Sequence, residues 1–146
     1  MLTTFTSSSK KTETGLQVVS GSRGFQVLMD EPKKAGGANT GMTPVEIQLS
    51  ALGGCLTIVC SLLAEKMRLD IEEINIDVEG DLDPDGLAGK EGVRPGFQAI
   101  RYTLRVKTSE PEKKIEKMLT MAEKLCPIHD TLSNPVNVTR AGIVLE

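Results

Sequence analysis

The sequence predicts an α+β domain in which helices lie on antiparallel sheet. Three observations carry this. A helix rich in apolar residues starts sharply at Thr43-Pro44-Val45-Glu46. Two segments alternate apolar and polar residues on either side of a Gly/Pro-rich stretch, Ile71–Glu79 and Ala99–Val106. An amphipathic helix follows Pro111. The length of 146 residues fits one domain, 1–146.

The first elements are short. Thr14–Val19 and Phe25–Met29 flank Ser20-Gly21-Ser22 and are expected to form a hairpin, with an earlier strand over Thr3–Ser8. Asp30–Gly41 contains Pro32, Gly36, Gly37 and Gly41 and is expected to be a loop. Thr43 then serves as N-cap, Pro44 as N1 and Glu46 as N3, which is a capping box with the favoured first-turn proline. Val45, Leu49, Leu52, Leu56, Val59 and Leu63 recur at helical spacing, and Ile47, Cys55, Ile58 and Leu62 widen the stripe. Such a helix belongs inside a fold. Gly53-Gly54 within it costs about 1 kcal/mol per glycine relative to alanine, so a second helix or a ligand is expected to approach there.

Further on, Ile74, Ile76 and Val78 share one face of a half-exposed strand. Gly80–Gly96 is expected to be a mobile hairpin arm, and Ile100, Tyr102, Leu104 and Val106 line the returning strand. With Pro111 at N1, the next helix turns Ile115, Met118, Leu119, Ala122 and Leu125 inward. Cys126-Pro127 opens a short second helix, and Val136–Leu145 is expected to be a closing strand.

Composition narrows the function. Seventeen Lys and Arg against 20 Asp and Glu give a formal charge of −3, and only three Phe and one Tyr are present. That excludes nucleic-acid binding as a default. Met1–Phe5 lacks the apolar core of a signal peptide, and polar residues within Val45–Leu63 argue against a membrane span. Three cysteines, an odd count, oppose a secreted disulfide framework and point to free thiols in the cytoplasm.

The thiols carry the chemistry. Cys55 and Cys60 project about 140° apart on one helix and cannot pair with each other while it is intact. Cys60 reads as a small core hydrophobe. Cys126 sits at a helix start, where backbone N–H groups stabilise a thiolate, and so could be a nucleophile, a resolving thiol, a metal ligand or a plain cap. Cys55, Cys60, Cys126 and His129 make the ligand count of a zinc site, but the divergence of Cys55 and Cys60 opposes one. His129 fits a cap or a polar site wall. The capping box accounts for Glu46, which lies about 13.5 Å along the helix from Cys55 and on its opposite side. A shared site would need a bend or a subunit interface.

Thr43-Pro44-Val45-Glu46, Ala51-Leu52-Gly53-Gly54-Cys55 and Cys126-Pro127-Ile128-His129-Asp130-Thr131-Leu132 resemble the OsmC/Ohr superfamily of osmotically inducible and organic hydroperoxide resistance proteins. The element order agrees along nearly the whole chain. The resemblance implies an OsmC-like fold with a long buried central helix, in an intertwined homodimer with sites at its interface. It also implies a thiol-dependent peroxidase without bound cofactor or metal. In that reading Cys55 is the peroxidatic thiol for an organic hydroperoxide. Cys126 resolves it, and a dithiol such as a lipoyl protein reduces the disulfide. The family pairs the glutamate with an arginine; Arg23, the only arginine before the helix, takes that place beside Glu46. Here Val45 separates Pro44 from Glu46, and Gly54 with Cys126-Pro127-Ile128-His129 is more similar to an OsmC-like branch than to the Ohr branch. A non-catalytic protein of the same family, binding a ligand or sensing redox state, is the alternative, and a metal-binding module a third.

Overall fold

The computed structural model describes residues 1–146, which form two compact units, Met1–Ser50 and Ala51–Glu146. In the first, β1 (Ser8–Lys11), β2 (Val18–Ser22) and β3 (Phe25–Met29) make an antiparallel sheet in the order β1-β2-β3. The β2–β3 turn falls at Arg23-Gly24, one step beyond Ser20-Gly21-Ser22. Both turn residues have positive φ, 54° and 89°, and Ser22 pairs with Phe25, so this is a two-residue turn of the primed type. Gly24 supplies the second positive φ without strain, whereas Gly21 stays in the strand opposite Gln26.

The loop after β3 is organised by Asp30, only 2% exposed. Its carboxylate accepts from Thr40 Oγ1 at 2.6 Å and from the N–H groups of Glu31, Ala38 and Thr40, and these bonds hold its pKa below the ordinary carboxylate value. The capping box closes as expected: Thr43 N–H donates to Glu46 Oε2 at 2.8 Å and Glu46 N–H to Thr43 Oγ1 at 3.3 Å. It starts α1 (Pro44–Lys66), within which the boundary between the units falls.

In the second unit β4 (Ile71–Leu82) and β5 (Phe97–Thr108) form a long antiparallel hairpin. Ile74 opposes Val106, Ile76 opposes Leu104 and Val78 opposes Tyr102 on the face packed into the core. The other face carries Arg101 between Glu79 and Asp81, and Arg105 with Asp77, all exposed. Such pairs contribute about 0–1 kcal/mol each and mainly keep that face soluble. The expected arm is shorter than 80–96. The strands continue to Leu82 and from Phe97, and α2 (Pro84–Leu87) fills part of the connection, capped by Asp83.

The core gathers Leu52, Leu56, Cys60, Leu63 and Ala64 of α1 with Ile115, Met118 and Ala122 of α3 (Glu112–Leu125). Pro111 is the N-cap of α3 rather than its first residue, and Leu125 is 60% exposed at its end. Within this chain a strand approaches Gly53: a Cβ there would lie 3.2 Å from Val78 Cγ2. Gly54 faces open space. This chain covers one face of α1, leaving Ile58 and Leu62 63% exposed. The polar residues of α1 do not exclude a span by composition, as its best 18 residues have mean hydropathy 1.9, long and apolar enough to cross a membrane. Thr57 and Ser61 direct their hydroxyls to the carbonyls of Gly53 and Thr57, which removes much of their polarity from the surface.

The expected closing strand does not form. Residues 135–146 carry neither helix nor strand, and Val136, Val138, Ile143, Val144 and Leu145 are 64–92% exposed. Alternation marks a strand, but a strand also needs a neighbour, and in this chain β4 and β5 pair only with each other. Gly53→Leu is expected to overpack against Val78 and lower stability by about 1–3 kcal/mol. Gly54→Leu meets nothing within the chain, so urea unfolding at concentrations where the protein is monomeric should show the loss in Gly53→Leu only.

Candidate functional site

Two local features carry the thiols to one another. Cys55 lies on α1 three residues after buried Leu52 and is itself partly exposed. Cys126 lies at the corner between α3 and α4 (Pro127–Ser133), where extended backbone (φ −75°, ψ 113°) ends one helix and starts the next. Its N–H donates to the Ala122 carbonyl at 2.9 Å, and its carbonyl accepts from Asp130 N–H at 3.0 Å. Its Sγ caps α4 by accepting from His129 N–H at 3.3 Å, the position the Cys-Pro sequence indicates.

Across this corner Cys126 Sγ donates to Cys55 Sγ at 2.8 Å. A disulfide requires about 2.05 Å, so less than about 1 Å of approach separates the thiols from a covalent bond. Their environments differ. Cys126 is fully buried, and Cys55 is the one of the two that solvent reaches. Burial pushes the Cys55 thiol up, the Cys126 sulfur adds to the rise, and the Ile128 backbone N–H draws it down. Cys60 is fully buried in the core, and burial pushes its thiol up to about 11, with Cys126 and Glu123 adding to the shift. A thiol so placed is poorly nucleophilic, which matches its reading as a core hydrophobe.

Beside the corner opens a cavity of about 290 Å³ whose lining includes Leu52, Phe97, Ile100, Tyr102, His129 and Leu132. His129 is a wall residue here, its ring meeting the edge of Tyr102 with centroids 6.3 Å apart. Tyr102 also donates a hydrogen bond to Glu123 Oε1, and burial followed by that carboxylate raises its pKa. Period-two alternation puts Tyr102 on the inner face of its strand but signals no role for it or for Glu123. The available signal was that Tyr102 is the sole tyrosine.

Glu46 and Arg23 each have local partners within the chain's first fifty residues. Both belong to the unit Met1–Ser50. Glu46 is engaged in the capping box, and the Arg23 guanidinium lies 5.4 Å from the centroid of the Phe25 ring. No group of three or more His, Cys, Asp or Glu gathers closely enough to hold a metal ion, the divergence of Cys55 and Cys60 being the physical reason for the cysteines.

The family model described as OsmC-like protein matches residues 36–140. Among solved structures, the chain is similar to an OsmC-like protein from Mycoplasma pneumoniae, with 22% identity over 91% of this chain and 89% of that one and a TM-score of 0.77. It is also similar to an organic hydroperoxide resistance protein OsmC from Legionella pneumophila, with 14% identity over 90% of each chain and a TM-score of 0.62. A third is an organic hydroperoxide resistance protein from Elizabethkingia anophelis with thiocyanate bound, with 14% identity over 89% of this chain and 88% of that one and a TM-score of 0.61. At these identities the likeness establishes the fold. No curated protein sequence matches the chain.

The raised Cys60 thiol has a consequence for stability. Between its ordinary value of about 9 and its folded value of about 11, the unfolded chain loses a proton that the folded chain keeps. Cys60 therefore stabilises fully below pH 9 and progressively less up to pH 11. Urea midpoints should fall through that window, and fall less in Cys60→Ala. Native alkylation with iodoacetamide at pH 8 should label Cys55 before Cys60.

Proposed function

The chain belongs to the OsmC-like protein family, and from that premise we propose that it is a thiol-dependent peroxidase reducing organic hydroperoxides through Cys55 and Cys126. The observation that supports this most is the 2.8 Å approach of one accessible and one buried thiol. The Cys55 thiolate attacks the terminal oxygen of ROOH, the O–O bond breaks, and the products are ROH, once its oxygen takes a proton, and Cys55 sulfenic acid. Cys126 sulfur then attacks the sulfenic sulfur, forming the Cys55–Cys126 disulfide and releasing water. A dithiol, with a lipoyl protein the expected kind, restores both thiols by two exchanges and is itself oxidised. The order follows access: peroxide meets Cys55 first, because Cys126 is sheltered.

Leu52, Ile100 and Leu132 give the cavity beside the corner apolar wall for an organic peroxide's carbon chain, while Arg94, Gln98 and His129 line it with polar groups. Burial holds the Cys55 thiol protonated at neutral pH, so fast turnover needs a compensating cation. Arg23, oriented by Glu46, is the proposed source, as the family resemblance implies. We further propose a single-domain protomer and a homodimer in which a second copy covers the exposed Ile58 and Leu62 beside open Gly54. A reducing cytoplasm would keep the three thiols free. The raised Cys55 thiol also favours a second reading, in which the pair oxidises slowly and senses redox state without efficient turnover.

Cumene hydroperoxide should be consumed with a lipoyl dithiol as donor. Cys55→Ser should abolish consumption, and Cys126→Ser should stop turnover while leaving a sulfenic acid on Cys55 that dimedone traps. One equivalent of disulfide without turnover supports the sensor; neither consumption nor a Cys55–Cys126 disulfide rejects both. Gly54→Leu should shift the protein from dimer toward monomer in sedimentation while it stays folded, and Arg23→Ala should slow peroxide consumption at least tenfold without preventing disulfide formation by diamide.

A further inference from the structure

We infer that Tyr102 is the positioning residue of the thiol pair: from β5 it fastens both sides of the α3–α4 corner and thereby holds Cys126 against Cys55. This rests on the two-cysteine reading above and extends it to a residue outside the reacting atoms.

Apolar packing of Met118, Ala122 and Cys126 with α1 seats the corner in the core, and Tyr102 adds a directional fastening to it. The corner's own bonds, Cys126 N–H to Ala122 and Asp130 N–H to Cys126, shape the bend between the helices. They do not set its distance from α1. Tyr102 reaches both arms of the bend. Its hydroxyl donates to Glu123, in the last turn of α3 and three residues before Cys126. Its ring edge meets His129, in the first turn of α4, with an interplanar angle of 84°. The backbone N–H of that same His129 donates to Cys126 Sγ.

The other end of the path runs to Cys55. Tyr102 is the direct cross-strand partner of Val78. Val78 in turn packs against the helix backbone at Gly53, two residues before Cys55. A short chain of contacts thus joins the two sulfurs through the sheet: Gly53, Val78, Tyr102, then the corner. The hydroxyl is the part of Tyr102 that this path requires, since a phenyl ring alone would keep the packing and lose the bond to Glu123. Burial and the neighbouring carboxylate both keep that hydroxyl protonated, so it remains a donor at neutral pH.

The test is the thiol–disulfide equilibrium of Cys55 and Cys126 in glutathione redox buffers. Two glutathione thiols form as the protein disulfide closes on one oxidised glutathione, so no peroxide is needed. Tyr102→Phe should lower the equilibrium constant for disulfide formation about tenfold, which is about 30 mV toward easier reduction. Glu123→Ala should match it, Glu123→Gln should stay near wild type because its carbonyl still accepts, and the double variant Tyr102→Phe/Glu123→Ala should lose no more than either alone. Thermal unfolding of each variant separates a fold effect, since a merely structural bond would lower Tm and leave the potential in place. An unchanged potential in Tyr102→Phe, or losses that add in the double variant, overturns the inference. If wild-type Cys55 and Cys126 form no mutual disulfide in these buffers, the pairing itself is wrong and the inference goes with it. Failure of peroxide turnover alone overturns only the peroxidase reading.

Discussion

The contact of α1 with β4 at Gly53 is the constraint on which the second unit depends. A Cβ at that position would stand 3.2 Å from Val78, so only a bare backbone lets strand and helix come this close. The closeness sets the depth at which Leu52 and Leu56 enter the core, and with it the position of Cys55 two residues along. The glycine costs helix propensity, about 1 kcal/mol, and the packing of α1 on the sheet offsets it. Gly54, its neighbour, has no such partner in the chain. Adjacent glycines in one sequence pair therefore have different physical reasons.

The two thiols are made unlike by burial more than by charge. Cys126 is sealed in the corner of α3 and α4, its sulfur already used as a cap, while Cys55 stands partly open. Desolvation that protects a thiol also disfavours its thiolate. At Cys55 that desolvation raises the thiol above its ordinary value, with the Cys126 sulfur adding to the rise.

Much of this was legible in the residues. The helix start followed from Thr43, Pro44 and Glu46, because a capping box closes within four residues and needs no distant partner. The faces of β4 and β5 followed from period-two alternation. The hairpin turn lies later than composition indicates: Ser20-Gly21-Ser22 has turn composition, but the positive φ values fall to Arg23 and Gly24. The strand expected over 136–145 failed for a different reason: its pattern is correct for a sheet edge, and the chain has none paired to it.

By itself the sequence determined the elements whose causes are local: the capped helix, the alternating strands, the Cys-Pro helix start at Cys126, and the angular separation that keeps Cys55 from Cys60. Only the tertiary structure decided that Cys55 and Cys126, 71 residues apart, come within 2.8 Å, and that Tyr102 and Glu123 stand behind them. Hydrogen-bond closure within a turn of chain can be read from spacing. A meeting of two sulfurs carried on different helices over one sheet face depends on how several elements share one core, and no spacing encodes that distance.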